Sequence, residues 1–168
     1  MSTLSTDQVV IPFLKNYMSN FYTAPFYSDL YGKTFKTTEQ YFMYEKAIFF
    51  GDTETADKIM LSTTPQKAKE LGREVKNFVE AEWSKVRYAV MYDANLLKFL
   101  QTPDIAQKLV ATKDALLVEC NIKDKIWSCG LDMKDPNVAD QSKWLGQNLL
   151  GKVLMDVRKY LIEAGKDV

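Results

Sequence analysis

The chain contains no histidine, and among its 168 residues no other absence removes as much chemistry. A Ser-His-Asp triad, a Cys-His pair and every imidazole-based metal site are excluded. The two cysteines, Cys120 and Cys129, are too few for a zinc site of their own and supply no disulfide framework. Free thiols in a reducing cytoplasm are the expectation. Acid-base work must then come from carboxylates, Lys, Tyr, Cys or water, and neither a metal nor a cofactor is called for. Net charge is missing as well: Lys+Arg and Asp+Glu each number 22. A basic stripe suited to general nucleic-acid binding is therefore not expected, although a small pocket can still hold a few cations. No apolar run is long enough for a membrane span, and the first residues, MSTLSTDQVV, lack the basic and apolar regions of a signal peptide. Repeats, low-complexity tracts and Pro/Gly linkers are also lacking. A single domain over residues 1–168 is expected, with its core at about 9–164.

What is present begins with aromatics. They make up 12% of the chain and crowd into its first third, from Phe21 to Phe50. Most are expected in the core, with one or two lining a pocket for a flat ligand. Residues 9–13 read as a strand, and Tyr31-Gly32-Lys33 as a turn between extended segments. Thr37 with Gln40 is a capping-box pattern that opens a helix through about Phe50. A short helix follows over 53–61. Another starts at Thr64-Pro65, because proline suits the first helical turn, and ends or bends at Gly72. A long amphipathic helix is expected from Glu74 to about Phe99, and a short one from Pro103. The apolar run 115–120 suits a buried strand, residues 121–144 a long loop, and 148–164 a last helix. The fold class is α+β, predominantly helical, with a few short strands.

Residues 146–152, GQNLLGK, match most of a phosphate-binding Walker A loop. Val153 stands where that motif needs Ser or Thr for magnesium, and two leucines occupy the phosphate cradle, so the match is rejected. Asn148 is expected to cap the helix here, and Gly151 to admit a close neighbour. An anion at this helix end stays open.

Four groups of residues offer chemistry, each beside a plainer alternative. Glu39 lies in a first helical turn, where the helix dipole favours a charged carboxylate. Lys46 sits two turns along the same face, able to meet a phosphate or ring carbonyl. The plainer reading is a first-turn acid that complements the dipole. Trp83 and Arg87 share a face of the long helix and offer a stacking plane and a phosphate fork. On spacing alone, a core Trp with a surface Arg is preferred. Asp124 and Trp127 lie on the loop after the apolar strand, where sites concentrate. Asn20 has an amide suited to ribose hydroxyls or a base edge, or to an ordinary turn.

Read together, these segments resemble one family. In order the chain shows MSNFY (18–22), GKTFKTTEQYFMYEKA (32–47), TPQKAKELGR (64–73), Trp83 with Arg87, KF (98–99), LLVE (116–119), DKIWSCGL (124–131) and DPNVADQSKWLGQNLLGKVLMDVR (135–158). This pattern is similar to the NADAR family, also called YbiA-like, over about 13–158. The resemblance implies a mainly helical fold with minor strands and hydrolysis of N-glycosidic bonds on ribose phosphates. Carried over by position, it implies Glu39 as catalytic glutamate, Asp124 as loop aspartate, and Trp83 and Trp127 as site tryptophans. Asn20, Lys46 and Arg87 match polar pocket positions. Two positions depart from the family pattern: Glu45, where Gln is usual, and Ser128, where Gly is usual. Glu45 is expected to add negative charge beside Lys46, and Ser128 to narrow the loop's freedom.

The implied partner is a small-molecule ribose phosphate or an ADP-ribosylated base, including one carried on nucleic acid, and not a membrane. Two substrate types are associated with the family: ADP-ribose on a nucleobase such as guanine, favoured here, and phosphorylated ribosylaminopyrimidine intermediates of riboflavin biosynthesis. A non-catalytic module binding ADP-ribose or NAD is a rival from another class. A partner acting only through protein contacts is a third.

Overall fold

The computed structural model describes residues 8–165, organised as two compact units. Residues 20–103 form one; residues 8–19 with 104–165 form the other.

The first of these opens with a hairpin, β2 (Phe26–Ser28) antiparallel to β3 (Lys33–Phe35), in register Phe26↔Phe35 and Ser28↔Lys33. Gly32 turns it at φ +62°, a left-handed conformation that glycine adopts without penalty. The outer edge of β2 is closed by one side chain. Gln101 accepts from the Tyr27 amide at 2.8 Å and donates to the Tyr27 carbonyl at 2.9 Å, as a neighbouring strand would. Helix α1 (Thr38–Phe49) then starts where the Thr37 hydroxyl accepts from the Gln40 amide at 3.1 Å. Only half of the capping box forms. Gln40 turns its Oε1 to the Lys36 amide and its Nε2 to the Ile59 carbonyl, so it ties α1 to the next helix.

That helix, α2 (Thr53–Leu61), is capped by Asp52, and α3 (Pro65–Gly72) by Thr64 with proline in the first turn. Helix α4 (Glu80–Gln101) begins later than the amphipathic pattern from Glu74 predicts. The reason is tertiary. The Asp52 carboxylate accepts from the Thr55 amide and also from the Lys76 amide, 24 residues on, and Asn77 takes φ +64°. Residues held in that way cannot join the helix. The core here is aromatic: Phe35 meets Tyr41 edge-on at 4.9 Å and Tyr31 meets Tyr44 edge-on at 5.0 Å, with Ala47, Ile59, Ala68 and Leu71 filling between helices.

In the other unit β1 (Val10–Phe13) pairs in parallel with β4 (Leu116–Glu119), in register Val10↔Leu116 through Phe13↔Glu119. Helix α5 (Pro103–Ala111) precedes β4 and buries Ile105 and Leu109. Helix α6 (Leu149–Gly165) packs on β4 through Leu150, Val153, Leu154 and Val157. The long loop between them carries two single 3-10 turns, Pro136–Ala139 and Gln141–Lys143.

Asn148 does not cap α6 with its side chain. At φ +52° it directs its carboxamide to β4, accepting from the Glu119 amide at 3.0 Å and donating to the Leu117 carbonyl at 2.9 Å. It thereby completes the strand edge that β1 leaves open. A Cβ on Gly151 would strike the Leu117 carbonyl and the Asn148 amide, so the close approach expected there is present. The amides of Asn148, Leu149 and Leu150 donate to the carbonyls of Ser128, Ile126 and Trp127. The donors an anion would need at this helix end are spent, which closes that option.

Cys120 and Cys129 are free and buried with sulfurs 4.0 Å apart. Among the described residues no helix is long and apolar enough to cross a membrane.

Candidate functional site

Asn20, Glu39, Lys46, Trp83 and Arg87 all fall in the unit of residues 20–103. Their geometry centres on the start of α1. Glu39 is 6% exposed in the first turn, and its amide donates to the Asn20 carbonyl at 3.2 Å. The Asn20 side chain faces the same corner: its Oδ1 accepts from the Thr38 hydroxyl at 2.7 Å and from Asn95 Nδ2 at 3.4 Å. Asn20 is thus a fixed strut for the helix terminus. The Oδ1 of Asn95, fully buried on α4, has no hydrogen-bond partner among the described residues. A buried acceptor left open costs about 1–3 kcal/mol, which marks this corner as polar by construction.

Lys46 is held by its surroundings. Its Nζ donates to the Gly72 carbonyl at 2.9 Å and lies 4.4 Å from the Phe78 ring centroid. Burial lowers its affinity for a proton, while the negative charges of Glu80 and then Glu39 raise it. Arg87 donates to Glu80 at 2.9 Å. Lys46 and Arg87 therefore both answer to Glu80.

Trp83 is 4% exposed and packs among Phe42, Phe49 and Phe50, at 5.2, 5.8 and 6.2 Å between ring centroids. Such an indole braces α4 against α1 and offers little face to a ligand. The charges that bear on Lys46 are those of Glu80, Glu39 and Arg73, and Glu45 bears on two tyrosines instead. Burial first, and then the Glu45 carboxylate accepting from their hydroxyls, pushes the Tyr31 and Tyr41 phenols above their ordinary range.

Asp124 and Trp127 meet each other in the other unit. Asp124 Oδ1 accepts from the Ile126 and Trp127 amides, each at 2.9 Å, so the carboxylate shapes the turn that carries the indole. Ser128 is fully buried, and its hydroxyl is a hub for the same loop. It accepts from the Asn121 and Gly130 amides and reaches the Glu119 carbonyl at 2.9 Å.

Sequence reasoning missed Asn95 and Lys98. Both are fully buried one turn apart on α4, where a long polar-looking helix gave no sign of an inward polar face. The only trace of Lys98 is the KF pair in the family pattern. Among the described residues no group of three or more His, Cys, Asp or Glu is placed to hold a metal ion.

A model of the NADAR domain matches residues 13–162. The chain is 42% identical over 123 residues to an N-glycosidase of Acanthamoeba polyphaga mimivirus, covering 73% of this chain and 72% of that protein. It is 33% identical over 143 residues to the N-glycosidase YbiA of Escherichia coli, covering 85% and 79%. The NMR structure of that protein superposes with a TM-score of 0.78 at 28% identity, over 98% of this chain and 91% of the other. A riboflavin biosynthesis protein of Vibrio vulnificus is 31% identical over 147 residues, which are 88% of this chain but 36% of that longer protein. A family model spanning most of the chain, together with relatives above 30% identity, makes this protein a member of the NADAR domain family.

Proposed function

We propose that the protein hydrolyses the N-glycosidic bond between a base and a phosphorylated ribose, with Glu39 as the charged group beside the anomeric carbon. The observation that carries this reading is the setting of Glu39. It is a carboxylate 6% exposed, at a helix N-terminus, with its own amide tied to Asn20. The names of the mimiviral and bacterial relatives support the same reaction class.

In the reaction the C–N bond breaks with its electrons leaving on the base, and positive charge builds on the ribose. A water oxygen bonds to the anomeric carbon, and the proton it sheds ends on the departing base. A carboxylate fixed near that carbon stabilises the developing cation, as in glycoside hydrolysis generally. Asn20 positions Glu39 through its backbone. Arg87 and Lys46 are assigned to the substrate's phosphate, and Trp83 to bracing the helices that carry these groups. For Asp124 and Trp127 the resemblance supplies positions only, a loop aspartate and a site tryptophan.

Glu39→Gln tests the reading because it removes charge and little else. Turnover is expected to fall roughly 10²–10⁴-fold with the fold intact. A variant within about threefold of wild type overturns the role.

ADP-ribosylated nucleobase, guanine in particular, is the favoured substrate. The second reading, a phosphorylated ribosylaminopyrimidine, draws on the name of the Vibrio relative. Rates on ADP-ribosyl-guanosine, on the phosphorylated ribosylaminopyrimidine and on its dephosphorylated form separate the two. Preference for the pyrimidine reverses the choice. Equal rates on the last two compounds overturn the phosphate requirement. Calorimetric binding of ADP-ribose without release of any base supports the non-catalytic rival.

A further inference from the structure

Helix α3 lies along the face of α1 that carries Glu39 and Lys46. Gly72 is a point of close contact: a Cβ there would strike the Met43 side chain, and Met43 stands one turn from Glu39 and one turn from Lys46. The missing side chain lets the two helices approach. It also brings Lys69, on α3, and Arg73, at its C-cap, alongside the same face of α1.

Each cation has its own place along that face. Lys69 Nζ lies 5.8 Å from the ring centroid of Phe21, which follows Asn20, and the Asn20 carbonyl holds the Glu39 amide. Lys69 therefore stands at the Glu39 end. Arg73 stands at the Lys46 end, because the Gly72 carbonyl that accepts from Lys46 Nζ belongs to the peptide joining Gly72 to Arg73. Burial depresses the Lys46 ammonium most; Glu80 and Glu39 oppose that, and the positive charge of Arg73 adds to it. Two cations that repel each other are thus held side by side. Of the acids next to Arg73 in the chain, Glu70 is engaged by Gln66 at 3.4 Å. Among the described residues Lys46, Lys69 and Arg73 make no ion pair.

Spacing then selects the ligand. From Glu39 to Lys46 is two turns, roughly 10 Å of helix axis. A 5′-phosphate sits one exocyclic carbon from the ribose ring and falls short of that span. A second phosphate in line with it covers the distance, and its added charge answers the added cations.

We propose that Lys69 and Arg73 make this face a diphosphate site: Lys69 meets the phosphate next to the ribose, and Arg73 joins Lys46 and Arg87 on the phosphate beyond it. This rests on the N-glycosidase reading above, which sets the ribose against Glu39. Arg73 is then the residue that separates ribose diphosphates from ribose monophosphates, and Lys69 serves both.

The experiment is calorimetric titration of wild type, Arg73→Gln and Lys69→Gln at low salt with two probes that differ by one phosphate, ribose 5-phosphate and ribose 5-diphosphate. Wild type is expected to bind the diphosphate about tenfold more tightly or better. Arg73→Gln is expected to weaken the diphosphate about tenfold and leave the monophosphate within about twofold. Lys69→Gln is expected to weaken both probes by a similar factor, about threefold or more. Both side chains reach solvent, so neither variant puts the fold at stake. Equal affinity of wild type for the two probes, failure to bind either, an Arg73→Gln loss that is equal on both or absent, or a Lys69→Gln variant unchanged on both overturns the proposal. Base release from ADP-ribosyl-guanosine with unchanged diphosphate binding in Arg73→Gln removes this site and keeps the N-glycosidase reading. The expected binding pattern in a protein that releases no base from any ribosylated compound keeps the diphosphate site and removes that reading.

Discussion

Arg87 donates through Nη1 to Glu80 at 2.9 Å, with the Arg87 side chain 13% exposed and that of Glu80 61% exposed. The guanidinium is fixed and the carboxylate is free to swing into solvent. Glu80 also lends its negative charge to Lys46. It therefore occupies, electrostatically, the place assigned to the substrate's phosphate. Glu80→Gln is expected to lower KM about two- to fivefold at low salt, the range of a half-exposed ion pair, with the gain fading as salt rises. Steady-state kinetics at two ionic strengths checks it. An unchanged or higher KM shows that neither cation meets phosphate.

Thr38 links α1 to Asn20 through a buried hydroxyl, 2.7 Å from Asn20 Oδ1. Thr38→Val keeps the shape and removes the donor. The Asn20 oxygen is then left with Asn95 alone at 3.4 Å. Stability is expected to fall by about 1–3 kcal/mol, and kcat to fall with it because the Asn20 carbonyl also holds the Glu39 amide. Urea denaturation beside turnover measures both. Lost stability with unchanged kcat separates Asn20 from Glu39.

Burial brings the Lys98 ammonium down to about 7. In the unfolded chain a lysine holds its proton up to 10.5. Between about pH 7 and 10.5 the unfolded state binds more protons, so this residue makes stability rise with pH across that window. Below it both states are protonated and the contribution is flat. Lys98→Met, similar in volume, is expected to flatten the rise. The measurement is the urea midpoint of both proteins from pH 7 to 10. Parallel curves contradict the buried-amine account.

Two glycines respond to alanine for different reasons. At Gly151 the new methyl strikes the Leu117 carbonyl and the Asn148 amide that patches β4, and a loss of about 2 kcal/mol or more is expected. At Gly51 nothing among the described residues lies within 4 Å, but φ is +74°, so only backbone strain of about 1 kcal/mol applies. Thermal melts of the pair should rank them in that order.

The sequence was most informative where causes are local. Thr37, Thr64 and Pro65 act within one helical turn, and the helices they start lie where those residues predict. It misled where a distant group decides. Residues 74–79 have a helical pattern, yet Asp52 takes the Lys76 amide out of reach. Asn148 looks like a cap, yet the open edge of β4 claims its carboxamide. At the candidate site, Glu39 was visible through its cap and the family pattern. Asn95 and Lys98 were not, because an inward polar face on a long helix looks in sequence like a solvated one.

The parallel pairing of Val10–Phe13 with Leu116–Glu119 also has a consequence for biosynthesis. The strand made first has no partner until roughly a hundred further residues have been added, and its lone edge must wait through that interval. Residues 20–103 lie entirely within the gap and supply their own hairpin and helices. Emerging from the ribosome at about 5–20 residues per second, that segment has several seconds in which to fold first. Its early folding would shorten the effective loop that β1 must close, and a slow last step is the kinetic mark of such a long-range parallel contact.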